Sequence, residues 1–305
     1  MPHLTGFRSL GADQGTVWPD EEVFPTSDGA RELRLSKPDE LRMGLTYWSE
    51  IHLSEHGHDI TERHSLLLEA VGHGPFPQRC FVPWSASGDK LVITSLKSDR
   101  QGLQAGFLIY DINLRQVAVA KQGSLGLQSC SWSPAEPLVM VVSSDAAEVL
   151  AAGGAHRWRI GHAGTPPRFV AGGWTQTGGY CFWNSRRLET GSQSIRFVDS
   201  ASGRLVAEED IDPAALLPYD EQRYAQLNRD MWVLVLSKGT RGSGRLLDEW
   251  SYGRFDPSTQ MLELGIYRPT SDVYPLAQLG GDPDSGPFEQ GCSAELQWVS
   301  FDVSE

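Results

Sequence analysis

The stretch CFVPWSASGDKLVITSLKSDRQGLQAGFLIYDINLRQVAVA, Cys80 to Ala120, decides the fold. Apolar and polar residues alternate before and after a glycine, as they do in strands that turn one face inward. SASGD, Ser85 to Asp89, interrupts the alternation with a tight turn, and Asp111 stands where a second turn begins. A strand reaching Trp84, a turn, a long hairpin and a further strand QVAVA make one antiparallel unit.

That unit recurs. VPWSASGDKLVITS around Trp84 returns as CSWSPAEPLVMVVSS around Trp132 and as AGGWTQTGGYCFWNS around Trp174, at intervals of 48 and 42 residues. The second half recurs as LIYDINLRQVAV, IRFVDSASGRLVA and YGRFDPSTQMLEL, with Asp111, Asp199 and Asp256 each placed to cap a short turn through a carboxylate. LQWVSFDV, with Asp302, echoes it once more near the C-terminus. Upstream, PTSDGARELRLSKPDELRMGLTYWSE predicts a Ser-Asp-Gly turn between strands and then a third strand, with HSLLLEAVG reading as a fourth.

On WSASG with Gly88, IYD with Asp111, and the pairs Gly72-His73 and Gly161-His162, the chain resembles the β-propeller repeat families, WD-repeat and TolB-like, over most of its length. In WD repeats such a Gly-His precedes the first strand of a blade. Here no unit ends in Trp-Asp, and the intervals from His73 to Trp84 and from His162 to Trp174 differ. The resemblance implies an all-β, single-domain propeller in which twisted four-stranded sheets stack around an axis, with tryptophans between them. Repeats of about 40 to 50 residues fit one blade each. Five units fall at about 16–71, 79–121, 127–161, 167–208 and 222–264, and residues 271–305 with 1–10 make a sixth, its outer strand supplied by LTGFRSLG. Six blades are therefore expected, with five blades plus a C-terminal segment, or a β-sandwich, as alternatives. Helix is confined in this reading to at most one turn, in DPAALLP.

A chain of 305 residues with 40% hydrophobic content and mean hydropathy of −0.32 is long enough for a sizeable core. No apolar run approaches the roughly 18 to 20 residues that cross a bilayer, and MPHLTGFRSLGADQG lacks the order of a signal peptide, so a cytoplasmic chain without membrane contact is expected. Cys80, Cys130, Cys181 and Cys292 are too far apart for a zinc or disulfide framework and read as reduced, buried thiols. The net charge of −13 and the isoelectric point near 5.1 argue against duplex nucleic acid, which needs a basic footprint, and would steer a basic partner instead.

Two clusters carry candidate chemistry. HLSEHGHDITERH gathers His52, His56, His58, Asp59 and His64, imidazoles that can ligate zinc, nickel or copper if the segment folds back; without a regular metal signature it reads first as an exposed polar loop. The hairpins LKSDRQGLQAG, SRRLETGSQS and SKGTRGSGRLL carry Lys97, Arg100, Arg186, Arg187, Lys238, Arg241 and Arg245 against only Asp99 and Glu189. In a propeller all three emerge on one face, which makes them the candidate partner-binding residues. The runs Glu208-Glu209-Asp210 and Asp248-Glu249 read as exposed charge.

Nucleophile elbows, phosphate loops and dinucleotide fingerprints are missing from the sequence, and no cofactor is expected. The reading favoured is a non-catalytic module that grips a protein partner with one face, as a scaffold or an immunity protein does. A propeller lactonase or hydrolase, with a metal or an acid-base pair at the central channel, is the alternative, because such sites draw single residues from separate blades.

Overall fold

The computed structural model describes residues 1–11, 21–36, 50–72, 82–99, 102–122, 127–143, 146–161, 168–186, 193–211, 253–269 and 294–305. The chain starts in β1 (His3–Gly11), whose partner comes from the other end of the sequence. A first sheet follows from β2 (Glu21–Pro25), β3 (Arg31–Ser36), β4 (Glu50–Glu55) and the two-residue β5 (His58–Asp59). After a 3₁₀ turn at Thr61–His64 and helix α1 (Ser65–Val71), β6 (Lys90–Asp99), β7 (Gly102–Asp111) and β8 (Gln116–Gln122) make the second sheet. Val82 and Trp84 flank it with single bridges to Ser131 and Leu91. The third contains β9 (Leu127–Trp132), β10 (Leu138–Ser143), β11 (Ala146–Ala151) and β12 (His156–Gly161). The fourth contains β13 (Arg168–Trp174), β14 (Tyr180–Arg186), β15 (Gln193–Asp199) and β16 (Leu205–Ile211). In the fifth, β17 (Gly253–Asp256), β18 (Met261–Pro269) and β19 (Ala294–Ser304) are completed by β1. The protein is an all-β propeller, and its described residues form five blades.

One turn recurs because one set of residues recurs. Thr26, Ser85, Ser133 and Thr175 each donate a backbone N–H, at 2.8 to 3.0 Å, to the carbonyl five residues on. The hydroxyls of Thr26, Ser85 and Thr175 accept the returning N–H of Arg31, Lys90 and Tyr180. Inside these three turns Gly29, Gly88 and Gly178 hold φ of +67°, +67° and +74°, a region that penalises any Cβ. The residue before the turn is aromatic in four blades, Trp84, Trp132, Trp174 and Phe255, and Pro25 in the first.

The second turn is capped by aspartate, as expected. Asp111 accepts from Leu114 N–H at 2.8 Å and pairs with Lys90 Nζ at 2.7 Å, and Asp199 accepts from Ser202 N–H at 2.8 Å. Lys90↔Asp111, Tyr180↔Asp199 and Met261↔Asp302 occupy the same register, so Asp302 is the true third member of this series. Asp256 belongs to the first turn instead: it follows Phe255, caps Ser258 N–H at 2.9 Å, and so replaces the hydroxyl of the other blades. Strands expected in two units, within 222–264 and within 271–305 plus 1–10, consequently share one sheet, which gives the blade count of the five-bladed alternative with β19 built into the fifth blade rather than appended to it.

HSLLLEAVG is not a strand. Its leucines, glutamate and alanine are good helix formers without a β-branched residue before Val71, and they form α1, which buries Leu67 and Val71 four residues apart. The helix packs on the second blade.

Blades adhere through apolar layers and indole hydrogen bonds. Leu33, Leu53, Leu91, Ile109, Trp132 and Val139 belong to a core shared by blades one to three; Met140, Trp158, Trp174 and Trp183 join three to four; Phe182, Phe197, Phe255 and Phe301 join four to five. Trp84 Nε1 donates to Phe24 O at 2.7 Å, Trp174 Nε1 to Ser131 O at 3.2 Å, and Trp158 Nε1 to Ser200 O at 2.9 Å, each across a blade boundary. Burial of such large side chains, at about 1.5 to 3 kcal/mol for each typical apolar group, is what a lone sheet lacks.

Candidate binding site at the channel mouth

The first strand of a blade lies innermost. β13 packs on β9 and β17, while at the periphery β16 meets β1. Val82 and Ser131 even bridge in parallel, with Trp132 N–H donating to Val82 O at 3.0 Å, so two neighbouring inner strands touch directly. The first hairpins therefore converge on one end of the axis, where those of blades one, two, three and five line an open cavity of about 850 Å³. Blade one contributes Glu22, Phe24, Pro25 and Ser27; blade two Pro83, Trp84 and Ser85; blade three Ser133 and Pro134; blade five Phe255, Asp256 and Ser258. Aromatic and proline surface gives it an apolar lining, and serines and carboxylates give it polar points.

Its rim is acidic. The first turns carry Asp28, Asp89, Glu136 and Asp256 and no lysine, arginine or histidine. The Thr26 hydroxyl and Ala30 N–H hold the Asp28 carboxyl below its ordinary value. At Asp89 burial pushes upward, but the hydroxyls of Ser87 and Ser85, with Lys90, outweigh it. Asp256 is lowered likewise, burial being outweighed by bonds from Ser258 and Thr259. Cations compensate part of this charge: Lys90 pairs with both Asp111, at 2.7 Å, and Asp89, at 3.4 Å, Arg157 pairs with Glu136 at 3.6 Å, and Arg31 binds Glu55, Gly88 O and Asn113 at 2.8 to 2.9 Å.

The histidines are not one cluster. His52 is exposed in β4 near Glu50 at 3.6 Å, His56 turns at φ +51° in the β4–β5 hairpin, and His58 is exposed in β5. His64 is buried, its Nδ1 sharing a 3.1 Å hydrogen bond with the Tyr110 hydroxyl and its ring edge-on to that ring. Burial lowers its pKa, aided by Arg115 and Arg31. The exposed loop expected at HLSEHGHDITERH is thus a largely exposed hairpin followed by a 3₁₀ turn of which only His64 is buried. Among the described residues no three His, Cys, Asp or Glu side chains come together as a metal site.

Of the candidate cations, Lys97 pairs with Gln104 within β6–β7, and Arg186 pairs with Gln193 within β14–β15. Both stand at the strand ends away from the channel mouth. LKSDRQGLQAG, expected as a long loop, is ladder as far as Asp99↔Gly102. Arg100, Arg187, Lys238, Arg241 and Arg245 lie outside the described residues, as do His73, His162, Cys80 and Cys292. Cys130 and Cys181 are buried free thiols whose pKa burial raises. Glu208 bonds Arg196 at 2.9 Å, and the Glu209 carboxylate accepts Leu4 N–H at 3.1 and 3.2 Å, so neither is idle surface charge.

Sequence reasoning missed the mouth residues Glu22, Phe24, Pro25, Ser27 and Asp256. The signal available was the residue after each inner-strand aromatic, always Ser, Thr or Asp, which aligns Asp256 with Ser85, Ser133 and Thr175.

No helix among the described residues is long and apolar enough to cross a membrane. No protein-family model matches the chain. No curated protein matches it either. Among solved structures, Kuenenia stuttgartiensis hydrazine synthase is similar, at 15% identity over 86% of this chain and 60% of that one, with a TM-score of 0.48. The β-propeller domain of Cps50 (Swd1) from "Myceliophteria thermophila" is 10% identical over 93% and 73%, with a TM-score of 0.44. A putative TolB from Agrobacterium tumefaciens is 14% identical over 63% and 65%, with a TM-score of 0.40. This chain thus spans 60% of the hydrazine synthase chain and 65% of the TolB chain. None of these likenesses transfers a function, and it is the five sheets themselves that make the chain a β-propeller.

Proposed function

We propose that this propeller is a non-catalytic binding module that grips a protein partner on one face, in the manner of a scaffold or an immunity protein. The observation that carries the reading is the channel mouth: a concave cavity held open by turns whose backbone and side chains are bonded to one another. A site on such a scaffold needs little reordering on binding, which lowers the entropic cost of association. Val23, 44% exposed, leaves apolar surface at the entrance.

A photo-crosslinking residue at Ser27 tests this reading. It should capture one protein from the extract of the native host, while the same residue at Leu205, exposed on the outer strand β16, captures only background. Identical products from both positions would refute the mouth as the contact. The arginine-rich hairpins, of which Arg186 stands at the strand end away from the mouth, are the competing face. Were they the contact, reversing Arg186, Arg187, Arg241 and Arg245 to glutamate would weaken the captured complex at least about tenfold at low salt, about 1.4 kcal/mol. Undiminished affinity would leave the mouth as the gripping face.

A further inference from the structure

We propose that Lys121 is an acylation site: its amine takes the acyl group of a small thioester, with His156 drawing off a proton and Glu148 positioning that histidine. The three side chains meet at the outer seam of blades two and three. Lys121 lies in β8, Glu148 in β11 and His156 in β12. The seam is tight because the β11–β12 turn carries Gly154, at φ +86°, where a Cβ would come within 2.8 Å of a Val119 methyl group. Val119 and Lys121 are two apart in β8 and share a face, so the packing of Val119 on the turn carries Lys121 to the strands that flank it.

The partners fix the hydrogen positions. His156 Nδ1 lies 3.2 Å from Glu148 Oε2, and His156 Nε2 lies 2.7 Å from Lys121 Nζ. A carboxylate only accepts, so Nδ1 carries a hydrogen, and in the neutral ring Nε2 is then the acceptor. Lys121 therefore donates to a nitrogen that can take the proton outright, while Glu148 Oε1 stands farther off, 3.7 Å from Nζ. Lys90 makes the contrast, its ammonium group facing the carboxylates of Asp111 at 2.7 Å and Asp89 at 3.4 Å. Transfer to His156 Nε2 leaves a free amine beside an imidazolium whose charge Glu148 balances, which is how an adjacent base activates a nucleophile. The side chains of Lys121 and His156 are 35% and 47% exposed and that of Glu148 15%, so an acyl donor reaches the amine while the positioning carboxylate stays covered.

In the reaction the free amine attacks the carbonyl carbon of the thioester. A C–N bond forms, the C–S bond breaks, and its electron pair leaves on sulfur. A second amine proton passes to the thiolate, giving a thiol, and the imidazolium returns the first proton to solvent; nothing is oxidised or reduced. The amide that results has lost the positive charge, and with it the ion pair that joins Lys121 to Glu148 across the seam.

The test treats the full chain with the acetyl thioester of N-acetylcysteamine, an uncharged donor, at mildly alkaline pH, and reads the initial rate at each lysine by peptide mass spectrometry. Lys121 should react at least about tenfold more slowly in His156→Gln, whose amide oxygen still accepts a hydrogen bond but does not take up the proton. Glu148→Gln separates a positioned base from a simple ion pair. Loss of a positioning carboxylate should slow Lys121 at least about threefold, whereas loss of a counter-ion would speed it by making the ammonium group easier to deprotonate. Lys90 is the internal standard and should react slowly and equally in all three proteins. Faster reaction there would betray an unfolded variant, and His156→Asn would then supply the comparison. An unchanged rate at Lys121 in the His156 variant, or a faster one in Glu148→Gln, would overturn the proposal and leave Lys121 an ion-paired surface lysine.

Discussion

Gly173 and Phe255 share one space, which allows the junction of blades four and five to be tested by counting free energy. A methyl group on Gly173 would run into the Phe255 ring, with Cε1 at 2.6 Å, and would lie 3.2 Å from Phe182 Cζ. Phe255 is 5% exposed and stands edge-on to Phe182, ring centroids 4.8 Å apart. Truncation by Phe255→Ala should cost about 3 to 5 kcal/mol, the usual loss for a buried ring. Gly173→Ala forces a methyl into filled space and should cost about 1 to 3 kcal/mol. Independent sites would add to about 6 kcal/mol, but the new methyl lies in the volume that the ring vacates. The double variant should therefore lose only about 3 to 4 kcal/mol, a coupling of about 2 to 3 kcal/mol. Urea unfolding of the four proteins, followed by tryptophan fluorescence and compared at constant m, measures each quantity. Additivity within about 0.5 kcal/mol would refute the contact and with it the direct packing of the fifth sheet on the fourth.

Removal of residues 1–10 should expose the edge of β19, strip Phe7 from Phe301, and leave Glu209 without Leu4 N–H; a lowered melting temperature and self-association in size-exclusion chromatography are expected. A monodisperse truncated protein melting as wild type does would count against β1 as the closing strand. His64 should make stability depend on pH. Because burial depresses its folded pKa, its contribution is complete above the unfolded value near 6.5 and is lost as pH falls through the folded value. The urea midpoint should thus fall more between about pH 7.5 and about pH 5 in wild type than in His64→Gln, which keeps a polar group for Tyr110 without titrating. Equal falls would show that His64 ionises freely in the folded chain.

The blades were legible because their turns are written in residue types that few other structures need. Trp followed by Ser or Thr, then glycine in a left-handed conformation, marks Ser85–Gly88 and Thr175–Gly178 without reference to any distant contact. Asp111 and Asp199 were readable for the same reason: each caps a turn within three residues. Where the chain used a substitute, the reading slipped. Asp256 performs for the fifth blade what a hydroxyl does elsewhere, and its likeness to Asp111 moved it to the wrong half of the unit. HSLLLEAVG is short and apolar, and such a run takes its form from what it covers, which periodicity alone does not reveal. The mouth was the least legible feature, since Glu22 and Asp256 lie at opposite ends of the sequence and meet only when the blades stack.

Closure by β1 also sets an order of events in synthesis. The hydroxyls of Thr5 and Ser304 end 3.4 Å apart across 299 positions of the chain. Bringing such remote ends together in a flexible chain costs roughly 5 kcal/mol of loop entropy, a cost that earlier stacking of the intervening blades would reduce. On the ribosome His3–Gly11 emerges long before its partner, so at about 5 to 20 residues per second β1 waits roughly 15 to 60 seconds for β19. HLTGFRSLG is suited to that wait: two glycines, an arginine and a break in register between Thr5 and Arg8 make it a poor template for pairing with other nascent chains. The ring latches only when translation of the final strand is finished.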